Sequence, residues 1–106
     1  MAADVIKKFK GTLTTSEATI QEGGSNYTPA TGRVFILQGF LFSNANAAAK
    51  YAILKVGGTR VVSSYPIPLK DSIVQSNLQI PVLATETITV QGEVATDIDY
   101  SVWGLS

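Results

Sequence analysis

The stretch that most constrains the fold covers residues 33–62, RVFILQGFLFSNANAAAKYAILKVGGTRVV. Two apolar runs, residues 34–42 and 50–56, are separated by a loop of asparagines and alanines, and the second run ends at Gly57 and Gly58. Paired glycines supply the positive φ values of a two-residue hairpin turn, and apolar runs bounded by turns are typical of strands. This order predicts consecutive antiparallel strands, with residues 34–42 as a central strand and the chain returning after the glycines.

The central strand is predicted to be covered on both sides, because apolar residues occupy odd and even positions alike. Gly39 interrupts the run, and a glycine inside a strand often marks a bulge or a close approach of another group to the backbone. Simple alternation places Val34, Ile36, Phe40 and Phe42 on one face, and Phe35, Leu37 and Leu41 on the other.

The rest of the chain carries shorter segments with strand character. Pro66 and Pro68 cannot lie in the middle of a sheet and predict a crossing between sheets, and Pro81 places its segment at a sheet edge. About eight short strands spaced by roughly 8–12 residues favour a β-sandwich or small barrel, formed by residues 1–106 as a single domain. The further predicted strands are residues 5–15, 16–22 (where a helical turn is the alternative), 59–65, 77–83, 86–91 and 98–104.

The composition narrows the possible functions. The 106 residues include neither cysteine nor histidine, which removes thiolate chemistry, disulfides and the commonest general base. Eight basic and eight acidic residues give zero net charge, so neither nucleic acid nor an anionic membrane is an expected partner. No apolar run approaches the roughly 20 residues of a membrane span, and no signal peptide is recognisable. We therefore expect synthesis in a cytoplasm, no cofactor, no metal site and no catalytic residue.

Three carboxylates lie close together in the sequence, at Glu93, Asp97 and Asp99. On a strand, Asp97 and Asp99 would share one face, at a spacing of roughly 6–7 Å that suits a calcium site or a glycosidase pair. The favoured alternative is a solvated strand face, opposite Lys8 or Lys10, because no glycine-containing ligand loop accompanies the carboxylates.

The N-terminal segment has two interpretations. The lysines among residues 5–15 favour an edge strand whose charges prevent edge-to-edge pairing. Alternatively, residues 1–10 form an arm that docks on a neighbouring subunit or on a particle. On that interpretation the contact candidates are Val5, Ile6 and Phe9.

Two aromatic residues are candidates for ligand stacking. Tyr27 lies in a predicted loop, and Trp103 lies on the polar face of the last predicted strand, so either ring could stack against a sugar. Packing in the core or at a subunit contact is the competing interpretation of both residues.

The order of several segments carries a family resemblance. The segments are residues 28–32 (TPATG), the apolar run 34–42, the loop 43–49 (SNANAAA), residues 51–56, the turn 57–59, residues 80–83 and 86–92, and the closing pair Trp103-Gly104. In this order the chain resembles a group of small bacteriophage virion proteins of β-sandwich type. The lysine-rich N-terminal segment departs from the family's pattern.

The resemblance implies a jelly-roll-like sandwich that assembles as a homo-oligomer on a capsid or tail and catalyses nothing. The expected protein is a non-enzymatic head decoration or auxiliary protein of the virion. Its expected partners are further copies of itself, with a trimer favoured, and other virion proteins such as the major capsid protein. The alternative is a carbohydrate- or receptor-binding module of a tail.

Overall fold

The computed structural model describes residues 5–106, and within that range the chain forms strands and no helix. Of the eleven strands in that range, nine overlap the eight predicted segments, and two, Ser25–Asn26 and Ser72–Gln75, were not predicted. The strands are β1 (Ile6–Thr12), β2 (Ala18–Thr19), β3 (Gln21–Glu22), β4 (Ser25–Asn26), β5 (Phe35–Asn44), β6 (Lys50–Val56), β7 (Thr59–Ile67), β8 (Ser72–Gln75), β9 (Ile80–Val82), β10 (Ile88–Gly92) and β11 (Ile98–Leu105).

The strands form two antiparallel sheets and a small ribbon. The first sheet has the order β1-β11-β5-β8, with β9 also paired to β5, and the second has the order β2-β10-β6-β7. Strands β3 and β4 form the ribbon. Neighbouring strands come from distant parts of the chain in the order that two Greek keys produce in a jelly roll. The predicted all-β, jelly-roll-like sandwich is therefore confirmed.

The core lies between the two sheets and is apolar except for Asn44. Strands β5 and β11 lie inside the first sheet, and β6 and β10 inside the second. The side chains of Ile88 and Val90 on β10 are buried, as are those of Ile98 and Val102 on β11. Phe9, Tyr27 and Phe35 form an aromatic cluster at one end, with ring centroids 4.8–5.9 Å apart.

The predicted faces of the central strand are wrong. The pairing of β5 with β11 joins Trp103 to Gly39 and Gly104 to Leu37, so Gln38 is an extra residue in β5. Such a bulge exchanges the faces of a strand. Consequently Phe35 and Leu37 point inward before the bulge, and Phe40 and Phe42 point inward after it, while Val34 is exposed.

The hairpin between β6 and β7 forms as predicted, with positive φ at both Gly57 and Gly58. The predicted crossing at the prolines needs correction, because β7 continues through Pro66, which lies opposite Tyr51. A proline is tolerated there because β7 is the edge strand of its sheet. The crossing to the first sheet follows at residues 68–71.

Candidate functional site: the open edge of the sandwich

A cleft of about 650 Å³ opens where the edge strand β7 of one sheet faces the edge strand β8 of the other. We call this region the open edge. Phe40 and Val62, both buried, form its floor. Its apolar walls comprise Val61, Tyr65, Ile73, Val74 and Leu78.

Irregularities in β7 shape this cleft. The pairing with β6 skips Val61, and it sets Ser63 and Ser64 together opposite Ile53. Ser64 has a φ of 54°, a left-handed backbone conformation that L-residues rarely adopt. Bulges of this kind interrupt the regular hydrogen-bonding edge of a strand, so β7 presents side chains here instead of a template for another strand.

One end of the open edge is closed by Asn44, the only fully polar side chain in the buried set of residues 5–106. Its side-chain amide donates to the carbonyl oxygens of Ile67 at 3.1 Å, Ala48 at 3.1 Å and Pro68 at 3.3 Å. Its side-chain oxygen accepts from the backbone N–H of Asn46 at 2.9 Å. Asn44 therefore ties the end of β5 to the segment that leaves β7, and the cleft opens beyond this point.

The open edge combines exposed apolar side chains with an absence of charge. Tyr65 is 52% exposed and Val74 is 63% exposed. None of the described residues that line the cleft is ionisable at neutral pH; the polar ones are Ser63, Ser72 and Gln75. A partner that covers this cleft would remove apolar surface from water without stripping water from a charge, which is the favourable composition for the core of a protein interface.

The three contact candidates of the N-terminal segment lie in different environments. Val5 and Ile6 are 53% and 75% exposed, whereas Phe9 is buried in the aromatic cluster of its own domain. Residues 1–4 of the predicted arm lie outside the described residues. Ile6–Thr12 itself is an edge strand that pairs with β11 along its whole length. Of the three candidates, Val5 and Ile6 therefore present apolar surface to a partner and Phe9 does not.

The lysines of β1 face two directions. Lys7 forms an ion pair with Glu22 of the ribbon, at 2.5 Å, and its ammonium lies 5.6 Å from the ring centre of Tyr27. The hydrogen bond to Glu22 raises the pKa of Lys7 above its usual value, against a smaller opposing effect of burial. Lys8 and Lys10 are exposed on the outer face of the first sheet, where their charges discourage pairing at this edge.

The two aromatic ligand candidates do not share a site. Tyr27 is buried between Phe9 and Phe35, and this burial raises the pKa of its phenol, while the charge of Lys7 lowers it by less. Its ring faces are therefore occupied by the protein's own core. Trp103 is half-buried on the outer face of the first sheet, beside the connection between β8 and β9.

The three carboxylates are held by separate hydrogen bonds. Glu93 accepts from the backbone N–H of Tyr51 at 3.0 Å, and Asp97, which precedes β11, accepts from the side chain of Asn46 at 2.6 Å. Asp99 lies opposite Thr12, not opposite Lys8 or Lys10, and accepts from its hydroxyl at 2.8 Å. Among the described residues, no group of three or more acidic side chains is arranged to hold a metal ion.

Residues 5–106 contain no helix with the length and apolar character needed to cross a membrane. Comparison of the sequence with models of known protein families found no match, and comparison with curated proteins found none either.

The residues of the open edge were missed as a group by the sequence reasoning. Tyr65, an aromatic residue directly before a proline, is the one that a local sequence feature marks. Val61 and Val74 line the same cleft because the jelly-roll connection brings β7 and β8 to the same edge of the sandwich. A possible signal was the pair of serines at residues 63–64, which breaks the apolar alternation of the predicted strand.

Proposed function

We propose that the protein is a non-enzymatic structural component of a phage virion, a capsid decoration or auxiliary protein that binds the particle surface and self-associates. The order of its segments, which resembles that of small virion proteins, and its jelly-roll strand order support this function. Its partners would be other copies of itself, with a trimer favoured, and the major capsid protein. The protein would be made in the host cytoplasm and reside in the virion.

The observation that carries the proposal is the open edge. A single domain can close its sheet edges with its own segments, but here Tyr65 and Val74 remain half or more exposed around an apolar cleft. Each square ångström of apolar surface removed from water stabilises an association by about 25 cal/mol. Contact through the open edge would therefore gain this hydrophobic contribution, which offsets part of the entropic cost of association.

The charge balance of the chain also favours self-association. Eight acidic and eight basic residues leave no net charge, so copies of the chain do not repel one another at long range. Four of these charges are paired within the described residues, Lys7 with Glu22 and Lys55 with Glu17, the latter pair at 2.9 Å. Self-association would thus depend on apolar contact, with little dependence on salt concentration.

Co-sedimentation with particles that lack the protein tests this proposal. Val74→Glu places a charge beside the cleft and is expected to weaken binding to the particle by at least about tenfold, because an unpaired carboxylate would be buried in the contact. Val34→Glu is the matched control, since Val34 is also exposed, at 40%, but does not line the cleft. Undiminished binding of Val74→Glu, or equal loss in both variants, would contradict a role of the open edge.

The arm interpretation is tested in the same assay with the double variant Val5→Ser and Ile6→Ser. Deleting residues 1–10 would be unsuitable, because it removes most of β1 and the buried ring of Phe9. Loss of particle binding in the double variant, with the fold intact by circular dichroism, would assign the contact to these two residues. Wild-type binding would leave the open edge as the contact surface.

A further inference from the structure

The outer face of the first sheet carries a second surface, centred on the single tryptophan of the chain. Trp103 on β11 lies opposite Gly39 on β5. A Cβ atom added at Gly39 would overlap the indole ring and lie 2.6 Å from its Cε2 atom and 2.7 Å from the Gln75 carbonyl oxygen. The six-membered part of the indole therefore lies directly against the glycine backbone, in space that any other residue would occupy.

Polar, uncharged side chains surround the ring on one side. A cavity of about 290 Å³ is lined by Trp103 together with Gln38, Ser76, Asn77, Leu78 and Gln79. None of the side-chain hydrogen bonds found among residues 5–106 uses the amides of Gln38, Asn77 or Gln79. These three groups therefore retain both donors and acceptors for a ligand.

The backbone holds this arrangement in place. The N–H of Leu78 donates to the carbonyl oxygen of Gln38 at 2.8 Å, which joins the connection between β8 and β9 to the bulge in β5. Asn77 has a φ of 67°, a value that asparagine tolerates better than most residues. The amides and the indole are thus attached to fixed backbone, and binding would require little ordering of the chain.

We infer that this surface, the Trp103 site, binds a neutral sugar. A pyranose ring has an apolar face that stacks on an aromatic ring, and its hydroxyl groups both donate and accept hydrogen bonds, as primary amides do. No cation or carboxylate lines the cavity, so an anionic ligand would lose water without gaining a counter-charge. Lys8, which lies opposite Trp103 on β1, does not line the cavity.

This inference is independent of the proposed role of the open edge. The two surfaces share Leu78 among their lining residues, but one lies between the sheets and the other on the outer face of the first sheet. Each surface can therefore be altered separately.

Tryptophan fluorescence tests the inference directly, because the chain has one tryptophan and the signal reports only this site. The probes are cellohexaose, maltohexaose, mannohexaose and chitohexaose, each titrated to millimolar concentration. We expect a saturable change with at least one probe, and the corresponding amide shifts by NMR at residues 76–79. No saturable change with any probe, or binding only of a sialylated or sulfated control sugar, would overturn the inference.

Two variants separate sugar binding from loss of the fold. Trp103→Ala, measured by calorimetry, is expected to lose about tenfold or more in affinity, since the stacking surface is removed. Gln79 is exposed, so Gln79→Ala preserves the packing and is expected to weaken binding several-fold. Tyr65→Ala, at the open edge, is the control and should bind sugar as the wild type does. Unchanged affinity in Gln79→Ala and Trp103→Ala would contradict the assigned site, and loss of particle binding in Trp103→Ala without any sugar binding would assign the surface to a protein contact instead.

Discussion

At one edge of the sandwich the segment after β1 crosses between the sheets and closes them with hydrogen bonds, whereas at the other edge β7 and β8 leave an apolar cleft. We call the first of these the closed edge. There the backbone N–H of Leu13 donates to the carbonyl oxygen of Ile98 at 2.7 Å, and the side chain of Leu13 is fully buried in the core. The N–H of Gly92 donates to the backbone carbonyl oxygen of Thr14 at 2.8 Å, and the side-chain amide of Gln91 donates to that of Thr15 at 2.9 Å.

The difference shows that two sheets can meet at an edge in two ways within one jelly roll. The crossing at the closed edge satisfies backbone groups and fills the space between the sheets. The crossing at the open edge, residues 68–71, is hydrogen-bonded to Asn44 and Asn46 at the end of β5, but none of its residues lines or covers the cleft. Apolar surface is therefore available for association on one side of the molecule and consumed by folding on the other.

The sharpest test of this comparison exchanges one apolar side chain at each edge. Leu13→Ala is expected to lower the free energy of unfolding by about 2–5 kcal/mol, because a buried leucine is replaced by a cavity. Val74→Ala should change it by no more than about 0.5 kcal/mol, since Val74 is largely exposed. Urea denaturation measures both, and equal losses would break the distinction between the edges.

Asn44→Ala tests how the crossing at residues 68–71 is attached to the end of β5. Removing the side chain leaves the buried carbonyl oxygen of Ile67 without this donor, at an expected cost of about 1–3 kcal/mol, whereas that of Pro68 keeps the N–H of Asp71 at 3.2 Å. Asn26→Ala is the matched control, because Asn26 is exposed and makes one long hydrogen bond, 3.4 Å, to Gln21. A loss as small as that of the control would show that Asn44 does not secure this crossing.

A pH titration tests the burial of two tyrosines, Tyr27 in the aromatic cluster and Tyr100 on β11. Burial raises the pKa of Tyr27 and of Tyr100 above that of a free tyrosine. Because the folded pKa is raised, the neutral phenols stabilise the fold fully below about pH 10, and this contribution is lost as the pH rises through the folded pKa. Tyr27→Phe should reduce the loss of stability at alkaline pH, as measured by denaturation at several pH values. An unchanged alkaline profile would argue against burial of this phenol.

The smallest expected effect concerns the ion pair on the second sheet. The hydrogen bond from Lys55 lowers the pKa of Glu17, with a smaller contribution in the same direction from Thr89. Glu17 is exposed, so we expect little change in stability. NMR titration should find the pKa of Glu17 below its usual value, and Lys55→Met should return it toward that value. No difference between wild type and variant would show that the pair does not form in solution.

Local signals were sufficient for much of the fold. The predicted strand at residues 50–56 has the bounds of β6, and the glycine pair that ends it forms the predicted hairpin. The strand interpretation of residues 16–22 is confirmed by β2 and β3, and Pro81 lies in an edge strand. These features depend on residues that are adjacent in the chain, where turn chemistry and proline restrict the backbone directly.

Features that depend on distant partners were harder to predict. Gly39 was expected to mark a bulge or a close approach, and both occur, but the extra residue Gln38 is defined only by the pairing with β11. From the sequence, Phe9 was a candidate for a subunit contact and Tyr27 for ligand stacking. The two rings instead pack against each other, and this packing depends on tertiary structure that the sequence does not show. The apolar lining of the open edge likewise could not be assembled from local patterns, since Val61 and Val74 are brought to the same cleft by topology.

The most direct test of a function at the open edge is the mass of the purified protein by light scattering, for the wild type and Val74→Glu. The chain mass is 11.2 kDa, and we predict a closed multiple of it for the wild type, a trimer being favoured, and the single-chain mass for the variant. Val34→Glu should retain the wild-type mass. A wild-type protein that remains at the single-chain mass at all concentrations, or a Val74→Glu variant that keeps the wild-type assembly, would contradict self-association through this surface.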